Sequence, residues 1–294
     1  MPLACLALMA SFGPTAPPQG YRLLGFDAAG AAVVRHVDTG AGIDRAEVFA
    51  PDALSGELVT TVPVGLEPGV PGPVSADGSA AVVVRARRVG LRAGVDIARS
   101  TALGFELAAR IEAPCDSSED AWDLEVTVAW PVRPGPSRVA FVSGVFPPCE
   151  AGAPRFARAV PVPEAIAAGA RERLSAELVA EATPPDFDGP QAGARTVLLV
   201  AALLDPQASL PWVLLARSRL LAGDPGGATA ALWQLARSTT EGAPEALAMA
   251  VDSPWAAELR PRAAFRALRA TTPPLPGAVE PPLPAPDLPA PPGE

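Results

Sequence analysis

The densest group of side chains that could carry chemistry in this chain is an acidic segment at residues 112–125. Carboxylates this close together could bind Ca²⁺, or act as the acid and base of a glycosidase. The segment has no Asp-x-Asp-x-Asp-Gly loop, and aromatic residues, which would line a sugar cleft, make up only 5% of the chain. A solvated acidic loop is therefore the favoured interpretation, and a secreted hydrolase that uses these carboxylates is the alternative. The polar side chains of the segment are Glu112, Asp116, Ser117, Ser118, Glu119, Asp120, Asp123 and Glu125.

The basic residues and the histidine content exclude several reaction classes. All 23 basic residues are arginine, so the chain lacks the lysine that P-loop, pyridoxal-phosphate and kinase sites need. His36 is the only histidine and lies in an alternating run at 33–37, which is typical of a strand and cannot supply a multi-histidine zinc site. No Gly-x-Ser-x-Gly elbow is present to give this histidine a nucleophile. We predict that the chain is not an enzyme and has no catalytic residue, metal ion or cofactor.

The net charge restricts the partners. At a formal charge of −9 and a pI near 4.8, the chain is poorly suited to nucleic acid or to an anionic membrane surface. No run of 18 or more apolar residues is present, so no membrane span is expected.

Residues 1–19 are similar to a secretory leader. A short apolar run at 2–10 is followed by Pro-rich sequence, with Ala10 or Ala16 before a possible cleavage point, although the usual basic start is missing. This pattern predicts export to the periplasm or the medium.

The cysteines agree with export. Without the leader, which contains Cys5, the chain keeps Cys115 and Cys149, both in Pro-flanked, loop-like sequence. An even number in an exported chain favours a disulfide, which would stabilise the fold by about 3–4 kcal/mol. Two unrelated buried thiols are the alternative.

Residues 20–162 have the pattern of an all-β domain. Short runs rich in β-branched residues alternate with Gly, Pro and Asp, and no helical period is present. The predicted strands are 21–26, 31–37, 45–49, 57–62, 80–86, 105–111, 124–130, 138–142 and 156–160.

A weak repeat occurs within this half. Residues 25–34 reappear as 73–83, and more distantly as 129–143, each reading as strand, tight turn and strand. The motif resembles the hairpins of TolB-type and WD40-like propeller blades. Three such units are too few for a closed propeller, so we expect a β-sandwich or an incomplete propeller-like domain.

The composition changes near residue 163 to Ala, Leu, Arg and Glu, which predicts an α-helical domain at 163–270. Helices are expected at 164–182, 191–204, 210–222, 226–238, 244–251 and 261–270. Residues 271–294 hold ten prolines and are predicted to be a disordered tail. The chain is thus predicted to be multidomain, all-β followed by all-α.

The helical half carries a spacing of 34 residues, which separates Ala194 from Ala228 and Leu198 from Leu232. With Trp212, this pattern resembles the tetratricopeptide repeat over residues 191–237, and the helices up to 270 resemble its continuation and cap. The family's fold is a helical hairpin array that binds proteins, so the resemblance implies a non-enzymatic interaction or scaffold role. An ordinary helical bundle is the alternative. Further matches are Leu215, Ala216, Gly223 and the pair Asp205-Pro206, while Arg219 replaces the usual aromatic residue.

A candidate groove follows from that resemblance. In the family the first helix of a repeat lines the groove, and here Val213, Arg217 and Leu220 form one stripe on that helix. An arginine between aliphatic side chains suits a carboxylate of a partner peptide. The alternative is a surface ion pair at Arg217, with the two aliphatic residues packed on a neighbouring helix. Three tryptophans near the repeat spacing, Trp212, Trp233 and Trp255, are expected to anchor the core.

Overall fold

The computed structural model describes residues 20–51, 53, 55–116, 124–132, 138–150, 152–184 and 194–272. In these residues antiparallel sheets form the N-terminal half and helices form the C-terminal half. The predicted order, strands and then helices, is confirmed. The predicted leader and nearly all of the predicted tail lie outside the described residues. Within the described ranges, no helix has both the length and the apolar character to cross a membrane.

The β half consists of three antiparallel sheets, built from eleven strands in the described ranges. The strands are β1 Gly20–Phe26, β2 Ala32–Asp38, β3 Ile43–Phe49, β4 Glu57–Val59, β5 Gly69–Pro71, β6 Val82–Val89, β7 Arg92–Ser100, β8 Phe105–Asp116, β9 Glu125–Pro131, β10 Arg138–Val145 and β11 Arg155–Val162. The first sheet has the order β1-β2-β3-β4, the second β11-β10-β9-β5, and the third β6-β7-β8.

The second sheet lies between the other two. Along β10, Phe141 packs with Phe26 of the first sheet, whereas its neighbour Val142 packs with Val95 of the third. Successive side chains of a strand point to opposite faces, so one strand contributes to two cores. The β half is therefore a stack of three sheets held by two apolar layers.

Two strands were not predicted, and several strand ends differ from the prediction, including β4, which ends at Val59 rather than 62, and β10, which continues to Val145 rather than 142. The short β5 and the whole of β7 were not predicted, although Val95 and Ile97 of β7 are fully buried and alternate as a strand should. β8 continues past the predicted end at 111, since Glu112 pairs with Gly94 and Asp116 with Arg92. The expected loop at 112–116 is therefore wrong, because pairing with β7 makes this segment a strand.

The helical half contains α1 Arg171–Ala182, α2 Arg195–Leu204, α3 Ser209–Leu221, α4 Pro225–Ala236, α5 Ala243–Asp252 and α6 Ala263–Thr271, with short 3-10 turns at Ala168–Ala170 and Pro254–Leu259. The predicted helix start at 164 is wrong. The backbone N–H of Ile166 donates to the carbonyl of Ser79 at 2.7 Å, and this bond holds residues before α1 against the β half instead of in a helix.

The helices cover the outer face of the third sheet. Val83 of β6 and Ala98 of β7 belong to the same buried cluster as Leu174 of α1 and Leu198 of α2. At this junction the Thr196 hydroxyl donates to the carbonyl of Val84 at 2.6 Å. The two halves therefore share a core, in which the start of β6 and the end of β7 lie between the second sheet and the helices.

The turn between α3 and α4 is fixed by its sequence. Gly223 adopts φ 73°, a left-handed conformation that glycine tolerates, and Asp224 caps α4 by accepting the Gly227 N–H at 2.7 Å. The Arg219 Nη1 donates to the Gly227 carbonyl at 2.8 Å. Burial lowers the pKa of this guanidinium, and the Asp224 carboxylate opposes the shift. Arg219 thus braces the turn between α3 and α4.

The turn at residues 75–79, which precedes β6, contacts both the second sheet and α1. The Asp77 carboxylate accepts hydrogen bonds from the Ser75 and Ser79 hydroxyls at 2.7 and 2.6 Å, and from the Ser79 N–H at 3.0 Å. Arg138 of the second sheet donates to the Ser79 hydroxyl at 3.0 Å, and Arg171 of α1 donates to the Asp77 carbonyl at 3.1 Å. This turn therefore links the middle sheet to the first helix.

Candidate functional site

A polar cleft of about 690 Å³ lies beside the outer edge of β11. The first sheet forms one wall, β8 of the third sheet forms the other, and β11 forms the base. The lining residues are Tyr21, Arg45, Glu47, Phe49, Ser55 and Gly56 from the first sheet and its last connection, 108–112 from β8, and 155–158 from β11. We call this cleft the edge slot.

The wall formed by the first sheet is a row of side chains aligned by strand pairing. Tyr21 pairs with His36, and His36 pairs with Arg45, so the three lie side by side across β1, β2 and β3. Glu47 follows two residues after Arg45 and shares its face. The Tyr21 ring stacks on the His36 ring with centroids 4.3 Å apart.

Glu47 contacts two members of this row, His36 and Arg45, through one carboxylate oxygen. Its side chain is buried, with the residue only 3% exposed, and its Oε1 accepts a hydrogen bond from Arg45 Nε at 2.6 Å. The same oxygen lies 3.0 Å from His36 Nδ1. A buried carboxylate needs such partners to offset its lost hydration. Glu47 therefore fixes the Arg45 guanidinium at the wall of the slot.

Tyr21 is held in its neutral form. Burial raises the pKa of its phenol, and the nearby Glu47 charge raises it further, while Arg45 and Arg155 act in the opposite direction. A phenol that stays protonated presents a hydrogen-bond donor to the slot.

The slot is cationic although the chain is acidic. Its lining contains four arginines and two glutamates, but Arg110 and Glu112 are paired with Asp96 and Arg87 on the outer face of the third sheet, so Arg45, Arg155 and Arg158 face the slot against Glu47 in a chain of net charge −9. Acidic side chains outside the lining orient some of these arginines. Arg110 makes a bidentate pair with Asp96 at 2.8 and 2.9 Å, and Arg155 Nη1 lies 3.4 Å from Asp38 Oδ2. The four arginines are Arg45, Arg110, Arg155 and Arg158.

Among the described acidic residues of the 112–125 segment, Glu112 alone lines the slot. Glu112 lines it and pairs with Arg87 at 2.8 Å, while Asp116 pairs with Arg92 at 3.2 Å. Glu125 begins β9, and residues 117–123 lie outside the described ranges. The described carboxylates are thus strand residues, and Glu112 and Asp116 are held by arginines. Within the described ranges, no cluster of three His, Cys, Asp or Glu side chains is placed to hold a metal ion.

The two cysteines are joined as predicted. Cys115 and Cys149 form a disulfide with Cα atoms 6.2 Å apart, which connects the end of β8 to the loop after β10. The bond therefore ties the third sheet to the second.

The predicted groove residues lie on α3. Val213 and Leu220 are partly buried against the helical core, and Arg217 is also partly exposed. At the two ends of the same face, Leu210 is 57% and Leu221 is 59% exposed. Trp212 is buried in the helical core, and Trp233 and Trp255 pack against it.

Sequence reasoning did not find the edge slot. It identified His36 as a strand histidine, but the row from Tyr21 to Arg45 depends on the register of three strands. One local signal was available, because Glu47 alternates with Val48 and Phe49 at the end of a predicted strand. A glutamate on the face of a buried phenylalanine indicates an inward charge that needs partners.

No protein-family model, no curated protein and no solved structure matches this chain.

Proposed function

We propose that this chain is a non-catalytic exported protein that binds a protein partner through its helical half. The observation that supports this most strongly is the outward face of α3, which is apolar at both exposed ends and carries an arginine at its centre. Large exposed apolar side chains on one face indicate an interaction surface more than isolated ones do.

The geometry of α3 explains how this face arises. Leu215 and Ala216 point into the core and are 0% exposed. Leu210, Arg217 and Leu221 follow the i, i+7, i+11 spacing and therefore form a stripe on the opposite side. We call this stripe, together with Val213 and Leu220, the α3 face. A guanidinium framed by aliphatic side chains suits a carboxylate of a partner, either an acidic residue or a chain end.

One further observation supports export of the protein, and another opposes the hydrolase alternative. The Cys115–Cys149 disulfide is a form that persists in oxidising compartments. Two of the carboxylates of the 112–125 region that would serve a hydrolase, Glu112 and Asp116, are engaged with Arg87 and Arg92, which opposes their use as an acid and base pair.

Site-specific crosslinking tests the proposal. A photo-crosslinking residue placed at Leu210 or Leu221 in the full chain should capture one protein from the native envelope fraction, identified by mass spectrometry. The same residue at Leu91, which is 61% exposed on the turn after β6, is the matched control and should not capture it.

Charge reversal at the centre of the face gives the quantitative test. Arg217→Glu should weaken capture about tenfold or more, equivalent to about 1.4 kcal/mol, with thermal stability nearly unchanged. Arg266→Glu on α6 is the control for net charge. Equal capture at Leu91, or capture that survives Arg217→Glu, would show that the α3 face does not bind the partner.

A further inference from the structure

We infer that the edge slot binds an extended acidic segment of a partner protein, which adds to β11 as a further strand of the middle sheet. This site is separate from the α3 face and carries its own chemistry.

The edge of β11 provides the backbone template. β11 is the end strand of its sheet, and its whole length, from Arg155 to Val162, pairs with β10 on one side. Alternate N–H and C=O groups of such an end strand point away from the sheet. Those of residues 155–158 border the slot, whereas the Pro161 carbonyl, further along β11, accepts from Arg99. An extended peptide can pair with them, as in other cases of strand addition.

The walls match the dimensions of an added strand. Residues of the first sheet and of β8 line the slot together with β11, so the space between the two walls adjoins the edge of the middle sheet. The slot follows β11 over residues 155–158, about 13 Å of extended chain. That length accommodates four or five residues of a peptide at about 3.3 Å each.

The charges select an acidic peptide. Along β11 the side chains alternate, with Arg155 towards Asp38 of the first sheet and Arg158 towards the third. Arg45 adds a guanidinium to the first wall, while Arg110 of β8 pairs with Asp96 on the opposite face of the third sheet and leaves Arg158 as the cation on that side. Side chains of a bound strand also alternate between the walls, so acidic residues on either face meet arginine. Each such contact is a charge-assisted hydrogen bond in a partly dehydrated cleft.

Apolar surface beside the arginines favours a peptide over a free anion. The Tyr21 ring and Ile111 line opposite walls of the slot and are partly exposed, so they would contact aliphatic side chains placed between the acidic ones. A single small anion would use the guanidinium groups and leave these contacts and the β11 edge unused. A lysine-rich segment would meet an excess of positive charge.

Binding of designed octapeptides to the oxidised full chain tests the inference. Fluorescence anisotropy would be measured with acetyl-TEVETEVE-amide, with acetyl-TKVKTKVK-amide as the charge control. Acetyl-TEPETEPE-amide keeps the charges but removes backbone donors at two positions and disfavours pairing. We expect saturable binding of the first peptide and at least tenfold weaker binding of the other two. Arg158→Glu should weaken the first peptide about tenfold, whereas the matched Arg266→Glu should leave it unchanged.

Isotope-edited infrared spectroscopy supplies a readout that does not depend on a variant. A ¹³C-carbonyl label in the bound TEVETEVE peptide should show the amide I frequency of a sheet. Equal affinity for TEPETEPE or TKVKTKVK, no binding at about 1 mM peptide, or full displacement by equimolar free glutamate or inorganic phosphate would overturn strand addition. Arg217→Glu should not change peptide binding, so this test and that of the α3 face fail independently.

Discussion

Replacing Asp77 with asparagine tests how the turn at 75–79 holds the β half to α1. The substitution keeps the shape of the side chain but removes its charge and one of its two acceptor oxygens. In the native turn those oxygens accept three hydrogen bonds, from the two serine hydroxyls and from the Ser79 N–H.

The pKa of Asp77 gives the magnitude. Burial alone would raise it, but the hydrogen bonds from Ser79 and Ser75 outweigh burial, and the Arg138 charge adds to them, so the pKa falls from 3.8 to about 2. A fall of that size corresponds to at most about 2.4 kcal/mol. Because Asp77 is largely exposed, solvent screening reduces the expected contribution to about 1 kcal/mol.

The sign of the pH dependence follows from linkage. A carboxyl group whose pKa is depressed in the folded state stabilises the fold in full above its unfolded pKa, and this contribution is lost as the pH falls through the folded value. For Asp77 the loss occurs between about pH 4 and pH 2. Asp77→Asn should therefore destabilise the protein at neutral pH, and the difference from the native chain should shrink across that range.

Urea unfolding followed by circular dichroism, from neutral pH down to the acid range, measures both quantities. Asp27→Asn is the matched control, since Asp27 caps the equivalent turn with one oxygen that accepts only the N–H groups of Ala29 and Ala31. An asparagine carbonyl can keep both of those bonds, so this variant should lose less. If Asp77→Asn is as stable as the native chain at neutral pH, or if the difference persists undiminished in acid, the account of the turn is wrong.

Two further predictions concern the disulfide and the turn after α3. Reduction of the Cys115–Cys149 bond, whose sequence separation is 34, should lower the free energy of unfolding by about 3–4 kcal/mol. Urea midpoints with and without dithiothreitol measure this, and unchanged midpoints would contradict it. Gly227→Ala should cost about 1–2 kcal/mol through loss of the helix cap, because a Cβ there would overlap the Asp224 carboxylate. Thermal melts against Gly226→Ala, whose Cβ would lie 3.7 Å from Asp224 Oδ1, provide the comparison, and equal losses would argue against a specific cap effect.

The strand and helix pattern and the buried tryptophan of α3 were accessible from the sequence because each depends on local information, whereas the bonded cysteines were predicted from their number and the expected export. Alternation of apolar residues reports which face of a strand is buried, and a period of 3.6 does the same for a helix. Asp224, Pro225 and Gly223 carry the turn between α3 and α4 in their own conformational preferences. β7 was not predicted, although Val95 and Ile97 alternate, because the small and charged residues around them, such as Gly94 and Asp96, weaken the strand pattern.

The residues of the edge slot, which come from four separate strands and one connection, are brought together only by the tertiary structure. Alternation shows that a side chain points inward, but it does not show which sheet lies opposite. Val70 of β5 pairs with Trp130 of β9, 60 residues later, and the sheet formed last in the sequence lies in the middle of the stack. The order of the sheets leaves β11 at an open edge between β3 and β8. Pairings over such distances depend on how several strands pack together, and the pattern of any one strand does not contain that information.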